Sequence, residues 1–351
     1  MNLIFLIITI IGVPVSIIGS FLHWTPTLMF IIDCITIIGL ASFMGRATES
    51  LAIVAGPSIG GLLNATFGNA VELIISIFAL KSGLINVVMA SITGSIIGNL
   101  LLVAGLSFFI GGLKYKRQQF NIFEARHNGG LLMFAIIVSF VFPLVFSTKL
   151  DHSDVRVLSA AISVIMIIIY LFALFFKLVT HRGVYKKNEG AKPEEHEDPE
   201  WGLWKAIIIL AVATIFVAYI SENLVKTIEP VARSFGWSEI FIGVIIVAIV
   251  GNAAEHASAV MMAFKNRIGV TVEIAIGSTL QIAMFVAPIL VLLSLAFTNF
   301  LPLVFPVTDL VAMVLSVLLT ISITTDGDTN WFEGALLLAS YVIMGFGFYL
   351  L

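Results

Sequence analysis

The chain has 351 residues, of which 60% are hydrophobic and 11% are charged, and its mean hydropathy is +1.11. A soluble domain usually carries about 25% charged residues. The composition therefore excludes an ordinary soluble enzyme or nucleic-acid-binding domain and indicates a membrane protein with several spans. The net charge of -3 carries little information because most acids lie in one segment, and a single cysteine, Cys34, excludes an internal disulfide.

Eleven apolar runs are long enough to cross a bilayer as helices, which takes about 20 residues. The first, 3–22, lacks the basic start and cleavage site of a signal peptide, so we expect it to be retained. Five spans follow near 26–45 (extending towards Val54), 57–80, 84–112, 129–147 and 155–178. Five more lie near 203–221, 237–263, 269–297, 302–322 and 332–351. The predicted fold is an all-α polytopic membrane protein with 11 transmembrane helices.

A polar segment divides the two sets of five spans. The predicted regions are an N-terminal helix (1–22), a first five-helix repeat (23–180), a cytoplasmic acidic linker (181–202) and a second five-helix repeat (203–351). The linker carries six acids, which are Glu189, Glu194, Glu195, Glu197, Asp198 and Glu200. A solvated connection is the simpler interpretation, and a strip that gathers cations is the alternative. Its spacing is not that of an EF-hand.

The distribution of Lys and Arg predicts the orientation, since cytoplasmic loops collect these residues. With alternating spans, the side of the N-terminus receives 13 of them and the opposite side receives five. We therefore expect a cytoplasmic N-terminus and an extracellular C-terminus in a plasma membrane.

A five-residue motif occurs once in each half. Gly68-Asn69-Ala70-Val71-Glu72 recurs as Gly251-Asn252-Ala253-Ala254-Glu255, offset by 183 positions. Without a gap, residues 68–104 and 251–287 share ten identities in 37 positions, including Gly94-Ser95 with Gly277-Ser278. A carboxylate inside a membrane span is costly and marks a functional site by default. Two carboxylates in matching sequence contexts therefore predict a single site to which both halves contribute equivalent residues.

The odd number of spans in each half predicts inverted repeats, because the second copy then enters the membrane from the opposite face. In transporters of this design the ion site lies near the midplane, where broken helices meet. Glycines before the motif, including Gly68 and Gly251, permit such breaks or simply allow close helix packing.

The polar residues of the motifs are hard oxygen ligands. Asn69 and Glu72 share a helix face, as do Asn252 and Glu255. The following spans add Ser95 with Asn99 and Ser278 with Gln281. Together with backbone carbonyls, for example at the two motif glycines, these oxygens suit calcium, which takes about 6–8 of them, better than magnesium or a soft metal.

Protons compete with a cation for carboxylate oxygens, and this competition is the physical basis of exchange. Glu72 and Glu255 are therefore predicted to bind either Ca²⁺ or H⁺. Zinc-protease, nucleophile-elbow and P-loop signatures are absent from the sequence, so an enzyme is not indicated. A divalent-cation channel is the alternative function, although duplicated glutamates in inverted repeats favour alternating access.

Other membrane acids carry weaker expectations. Glu49 and Glu222 form a second matched pair, and each either lines a proton or cation pathway or faces headgroup water. Asp33, Glu273 and Asp309 have no counterpart in the other half, so a local hydrogen bond or a position at a cavity mouth is expected for each.

The sequence resembles the calcium/proton exchanger (cation/proton antiporter) family of the cation/calcium exchanger superfamily over nearly all of the chain after the first span. The segments that carry the resemblance are Leu63–Ile74, Gly251–His256, Gly94–Asn99, Gly277–Gln281 and Asp326–Gly334. It implies that the repeat glutamates are the cation and proton sites and that the acidic strip is cytosolic. The long N-terminal tail of plant members is missing, and the chain looks bacterial.

The resulting hypothesis is a secondary antiporter that exports cytosolic Ca²⁺ in exchange for H⁺, with no cofactor and with the lipid bilayer as its surroundings. Sodium/calcium exchange is the alternative within transport. The sequence does not determine the oligomeric state, and a homo-oligomer is compatible with it.

Overall fold

The computed structural model describes residues 3–181 and 198–351 of the chain, and most of them are helical. In chain order the helices are α1 (Leu3–Phe21), α2 (Pro26–Ala55), α3 (Pro57–Phe67), α4 (Ala70–Lys81), α5 (Ile85–Lys114), α6 (Ile122–Ser147), α7 (His152–Thr180), α8 (Leu203–Phe235), α9 (Glu239–Gly251), α10 (Ala253–Phe264), α11 (Ile268–Ser294), α12 (Val307–Thr324) and α13 (Trp331–Leu350). Two short strands, β1 (Gln118–Gln119) and β2 (Asp328–Thr329), pair antiparallel.

The described residues contain nine single helices long and apolar enough to cross a membrane, and α9 with α10 forms a further bent pair. This confirms the prediction of an all-helical protein that spans the membrane several times. The predicted span 57–80 is not one helix but two shorter ones, α3 and α4, interrupted at Gly68 and Asn69. The count of eleven spans remains a prediction.

Some predicted boundaries were wrong. The span expected at 203–221 continues as α8 to Phe235, because its later turns alternate charged and apolar residues and still bury Leu224 and Ile228. The helix ends at Gly236, whose φ of 67° is the left-handed conformation that glycine adopts readily. The span expected at 129–147 begins earlier, at Ile122, because the side chain of Asn121 accepts hydrogen bonds from the first-turn amides.

The strands β1 and β2 were not predicted. They join the loop after α5 to the loop before α13 through two residues each, with Gln118 opposite Thr329. So short a pairing has no hydrophobic alternation by which a sequence could reveal it.

The packing places α5 and α11 at the centre, since most of the residues of both helices are buried. α2 packs along α8, α4 packs against α5 and α8, and α9 packs against α5. Both central helices contain a turn of π-helix at matching positions, Gly98–Val103 in α5 and Ile282–Val286 in α11. Such turns occur often at functional sites, and here each lies beside the candidate residues.

A candidate cation site at two helix breaks

Two asparagines interrupt two helices in the same backbone conformation. Asn69 has φ of -99° and ψ of 21°, and Asn252 has φ of -109° and ψ of 11°. At Asn252 the helix axis bends by 63° between α9 and α10. Each break begins a new helix whose first turn contains a glutamate, Glu72 in α4 and Glu255 in α10. A helix N-terminus offers unpaired amides and a favourable dipole to a negative charge.

Glu72 is held by two polar side chains. Ser95 of α5 donates a hydrogen bond of 2.6 Å to its Oε1, and the Asn252 amide lies 3.4 Å from its Oε2. The same amide donates to the Ser95 hydroxyl at 2.9 Å. Glu72 is 0% exposed, so its carboxylate is sealed inside the protein and satisfied by neutral partners alone.

A second network surrounds Asn69. Its amide donates to Gln281 Oε1 at 2.6 Å, and its own oxygen accepts from Ser278 at 3.2 Å. Asn99 of α5 donates to the Ser278 hydroxyl at 3.0 Å. These contacts join the π-helical region of α5 to α11 and to the first break.

Glu255 differs from Glu72 in its surroundings. It is half-buried, and its Oε2 has no hydrogen-bond partner within the described ranges. Its Oε1 lies beside Gly68, where a Cβ would come within 3.2 Å of that oxygen. In the other half, a Cβ on Gly251 would come within 3.3 Å of the Glu72 Cβ. Each motif glycine therefore packs against the glutamate of the opposite half.

The structure brings all ten predicted ligand candidates into one cluster, with each half supplying partners to the other. They are Glu72, Glu255, Asn69, Asn252, Gly68, Gly251, Ser95, Asn99, Ser278 and Gln281. In the part of the chain that the structure covers, no three His, Cys, Asp or Glu side chains gather into a metal-binding group. A cation here would be bound by at most two carboxylates, with amide, hydroxyl and backbone oxygens completing its shell.

A cavity of about 820 Å³ reaches the cluster from one side. Glu255, Gly68 and Gln281 belong to its lining, and Glu72 does not. The rest of the lining comes mainly from α3, from α10 and its break at Asn252, from the late turns of α2 and α7, and from the early turns of α11. The cluster is thus accessible from the side where these helix ends meet.

The remaining acids are dispersed. Glu49 lines the cavity, whereas Glu222 is exposed and accepts a hydrogen bond of 2.9 Å from Lys226, so the structure does not bring this pair together. Asp33 accepts from Ser16 at 2.5 Å and Asp309 from Thr93 at 3.2 Å, which are the local hydrogen bonds expected for them. Glu273 lies in the cavity lining, in an ion pair with Lys177.

Three basic residues that line the cavity, Arg46, Lys177 and Arg267, were not singled out from the sequence. Arg46 forms an ion pair with Glu200 and lies over the Trp201 ring at 4.7 Å. The sequence showed them only as contributors to loop charge. Of the acidic strip, Glu189, Glu194, Glu195 and Glu197 lie outside the described residues.

A profile of the sodium/calcium exchanger protein family matches residues 25–179 and 205–350. The chain belongs to this family. It is 67% identical to the Ca(2+)/H(+) antiporter ChaA of Bacillus subtilis (strain 168), over 100% of both chains. It is 44% identical to a Ca(2+)/H(+) antiporter of Aphanothece halophytica, over 96% of this chain and 94% of the relative.

A solved structure supports the same relationship. The selenium-substituted Ca2+/H+ antiporter protein YfkE is 60% identical and has a TM-score of 0.88, with 100% of both chains covered. The resemblance to calcium/proton exchangers inferred from the motifs is therefore confirmed.

Proposed function

We propose that this protein is a secondary antiporter that exports cytosolic Ca²⁺ in exchange for H⁺ by alternating access. The observation that carries the proposal is the pair of glutamates at two helix breaks, set among two adjacent networks of hard oxygens to which both halves contribute. The match to antiporters named for Ca²⁺ and H⁺ at 67% and 44% identity supports the choice of ions.

Glu72 and Glu255 are the proposed charged ligands, and Asn69 and Asn252 supply neutral oxygens. The free Oε2 of Glu255 and the Asn252 Oδ1, which has no partner among the described atoms, support this assignment. Carbonyls of Gly68 and Gly251 and the side chains of Ser95, Asn99, Ser278 and Gln281 complete or position the shell. Calcium takes about 6–8 oxygens at roughly 2.3–2.6 Å, so the cluster must tighten around the ion.

Protons replace the cation on the same two carboxylates. An ionised pair in a buried site is costly, and either Ca²⁺ or protons neutralise it. Since both occupants use the same oxygens, binding of one expels the other. This exclusive occupancy couples the inward movement of H⁺ to the outward movement of Ca²⁺.

The proposed architecture has eleven spans: an N-terminal helix (1–22) and two inverted five-helix repeats (23–180 and 203–351) joined by the acidic linker (181–202). The offset of 183 residues supports it, since it relates α4 (Ala70–Lys81) to α10 (Ala253–Phe264) over their full lengths. The match of one family profile to two segments also supports it.

The proposed orientation has a cytoplasmic N-terminus and an extracellular C-terminus in the plasma membrane. The cavity contains Arg46, Lys177 and Arg267 in its lining, all from the side that is rich in basic residues. Under this orientation the cavity is open to the cytosol, and Glu49 lies on the entry route. The conformation is then inward-facing, ready to receive cytosolic Ca²⁺ at Glu255.

Everted membrane vesicles test the function directly. Calcium uptake driven by an acidic lumen, and abolished by a protonophore, is the expected result. Uptake driven by a sodium gradient instead would assign the chain to sodium/calcium exchange, and uptake that needs neither gradient would indicate a channel.

A further inference from the structure

α9 and α5 meet through two glycines, one on each helix. A Cβ on Gly94 of α5 would overlap the backbone carbonyl of Val244 in α9. A Cβ on Gly243 of α9 would lie 2.6 Å from the Ala90 Cβ and 3.3 Å from the Ser91 nitrogen. The backbones therefore touch without room for a side chain. We call this contact the α9–α5 seam.

The equivalent seam in the other half is open. The offset of 183 residues relates Gly94 to Gly277 of α11, and Gly243 and Val244 to Gly60 and Gly61 of α3. Gly277, Gly60 and Gly61 all line the cavity. Within the described residues, and apart from its own helix backbone, no atom lies within 4 Å of a Cβ placed on Gly277. One contact thus occurs in two states, closed between α9 and α5 and open between α3 and α11.

Two hydroxyls lie behind the closed seam. Ser95 of α5 donates a hydrogen bond to Glu72 of α4, and these packed helices run antiparallel because only residues 82–84 connect them. Four residues further along α4 and four residues back along α5, the same helix faces carry Ser76 and Ser91. These two side chains therefore lie one turn beyond the carboxylate, on the side away from the cavity.

Both serines are polar groups without partners. Each is 1% exposed, and within the described ranges neither hydroxyl oxygen has a hydrogen-bond partner. Several other buried helical hydroxyls bond to a carbonyl one turn earlier, as Ser163 and Thr279 do, whereas Ser107 and Ser221 are also without a partner within the described ranges. An unpaired buried hydroxyl is unfavourable, so a role in another state accounts for this pair better than packing does.

We propose that the α9–α5 seam is the outer gate. Its opening exposes Ser76 and Ser91, which form the polar surface over which Ca²⁺ leaves Glu72 and protons reach it. The proposal rests on the proposed antiport. Ile274, the counterpart of Ser91, already lines the open cavity, so inverted repeats place Ser91 in the corresponding outer route. Its hydroxyl oxygen then gains water or passing Ca²⁺ as a partner.

Closure of the inner seam is the reciprocal step. α3 packs onto α11 with the bare backbone of Gly277 at the contact, as α9 now packs onto Gly94. Gly277→Ala should therefore fold normally in the inward-facing state, where the added methyl group meets open space, and should hinder the outward-facing state. Gly94→Ala should have the opposite preference.

Cysteine accessibility in liposomes of uniform orientation tests the gate. The full chain carries Cys34→Ser with Ser91→Cys, and an impermeant methanethiosulfonate is added to the outer side during calcium/proton exchange. We expect labelling during exchange, slowed about tenfold by Gly277→Ala because the outward-facing population falls. Ser258→Cys, which lines the cavity, is the control and should label from the inner side at an undiminished rate in Gly277→Ala.

Two outcomes overturn the gate. One is Ser91→Cys that stays unlabelled from the outer side while the protein exchanges ions. The other is labelling that Gly277→Ala does not slow. Ser76→Cys provides a second position, and Gly94→Ala, if it folds, should accelerate outer labelling. Proton-coupled calcium flux is measured in the same liposomes, so a misplaced gate leaves flux intact, whereas failure of the proposed function removes it from the wild type.

Discussion

Asn252 of the second half donates a hydrogen bond of 2.9 Å to Ser95 of the first half. The matching contact also crosses between the halves, since Ser278 donates to Asn69 at 3.2 Å. Each break residue is thus held by a serine of the opposite half. Neither half completes the cluster alone, and a change in one half should affect the whole site.

The asparagines should tune calcium affinity. Asn252→Ala or Asn69→Ala removes a neutral oxygen ligand and leaves both proposed proton acceptors in place. We expect the apparent Kd for Ca²⁺ to rise about tenfold, since one ligand interaction is worth on the order of 1–2 kcal/mol. Isothermal titration calorimetry of Ca²⁺ binding to the purified protein measures this Kd. An unchanged Kd in both variants would remove the asparagines from the calcium shell.

The length of the glutamate side chain should matter as much as its charge. Glu72→Asp and Glu255→Asp retain a carboxylate but retract its oxygens by one methylene, so we expect partial activity at best. The control is Glu229→Asp on α8, an exposed residue that forms an ion pair with Arg233. Initial rates of proton-driven calcium uptake provide the comparison. Wild-type rates in both site variants would mean that neither oxygen position is critical.

The sequence alone was sufficient to identify the cluster but not its contacts. The repeated Gly-Asn motif and the rare carboxylates pointed to Glu72 and Glu255, because polar residues in apolar spans need a reason to be there. The offset of 183 residues between the two motifs also matched Ser95 with Ser278. The bond from Asn99 to Ser278 depends on how α5 and α11 cross, and the bond from Asn69 to Gln281 depends on how the break before α4 packs on α11. No local pattern encodes either arrangement.

The same distinction applies to the fold. Apolar length predicted the membrane helices, whereas the breaks at Asn69 and Asn252 fall inside continuous apolar runs. Only the glycines before them indicated that breaks were possible, and close helix packing explained those glycines equally well. The end of α8 was placed too early because hydropathy falls near Glu222 while the helix continues as an amphipathic segment.

The proposed topology predicts the reactivity of the C-terminus. A cysteine placed at Leu351, with Cys34 replaced, should react with an impermeant thiol reagent added to whole cells. A cysteine at Lys186 is the matched control and should react only after the cells are opened. The reverse pattern would reject the orientation, and reaction of both positions in whole cells would reject the span count.

The acidic strip should act through its charge alone. Replacement of its six acids by Gln or Asn should raise the apparent KM for calcium moderately and leave maximal flux intact. The effect should shrink at high salt, because exposed charges are screened over about 8–10 Å at physiological ionic strength. Glu200→Gln alone serves as a control, since it breaks the ion pair with Arg46 but keeps the other five acids. Complete loss of flux in a correctly inserted variant would place the strip in the transport mechanism.

Acidification should weaken calcium binding. Protons occupy the carboxylates first as the pH falls on the calcium-binding side, so the apparent Kd of the wild type should rise. A pH series of calcium binding in detergent or nanodiscs provides the measurement. A Kd that is constant from about pH 8 to pH 5.5, a range in which buried carboxyl groups commonly titrate, would contradict competition at a shared site.

The most direct test of the account is calcium flux into liposomes under an imposed pH gradient, for the wild type and for the Glu72→Gln, Glu255→Gln double variant. Each substitution keeps the shape of the side chain and removes its negative charge and titratable group. The account predicts proton-driven uptake in the wild type and none above protein-free liposomes in the double variant or in either single variant. Robust proton-coupled calcium flux in the double variant would contradict it.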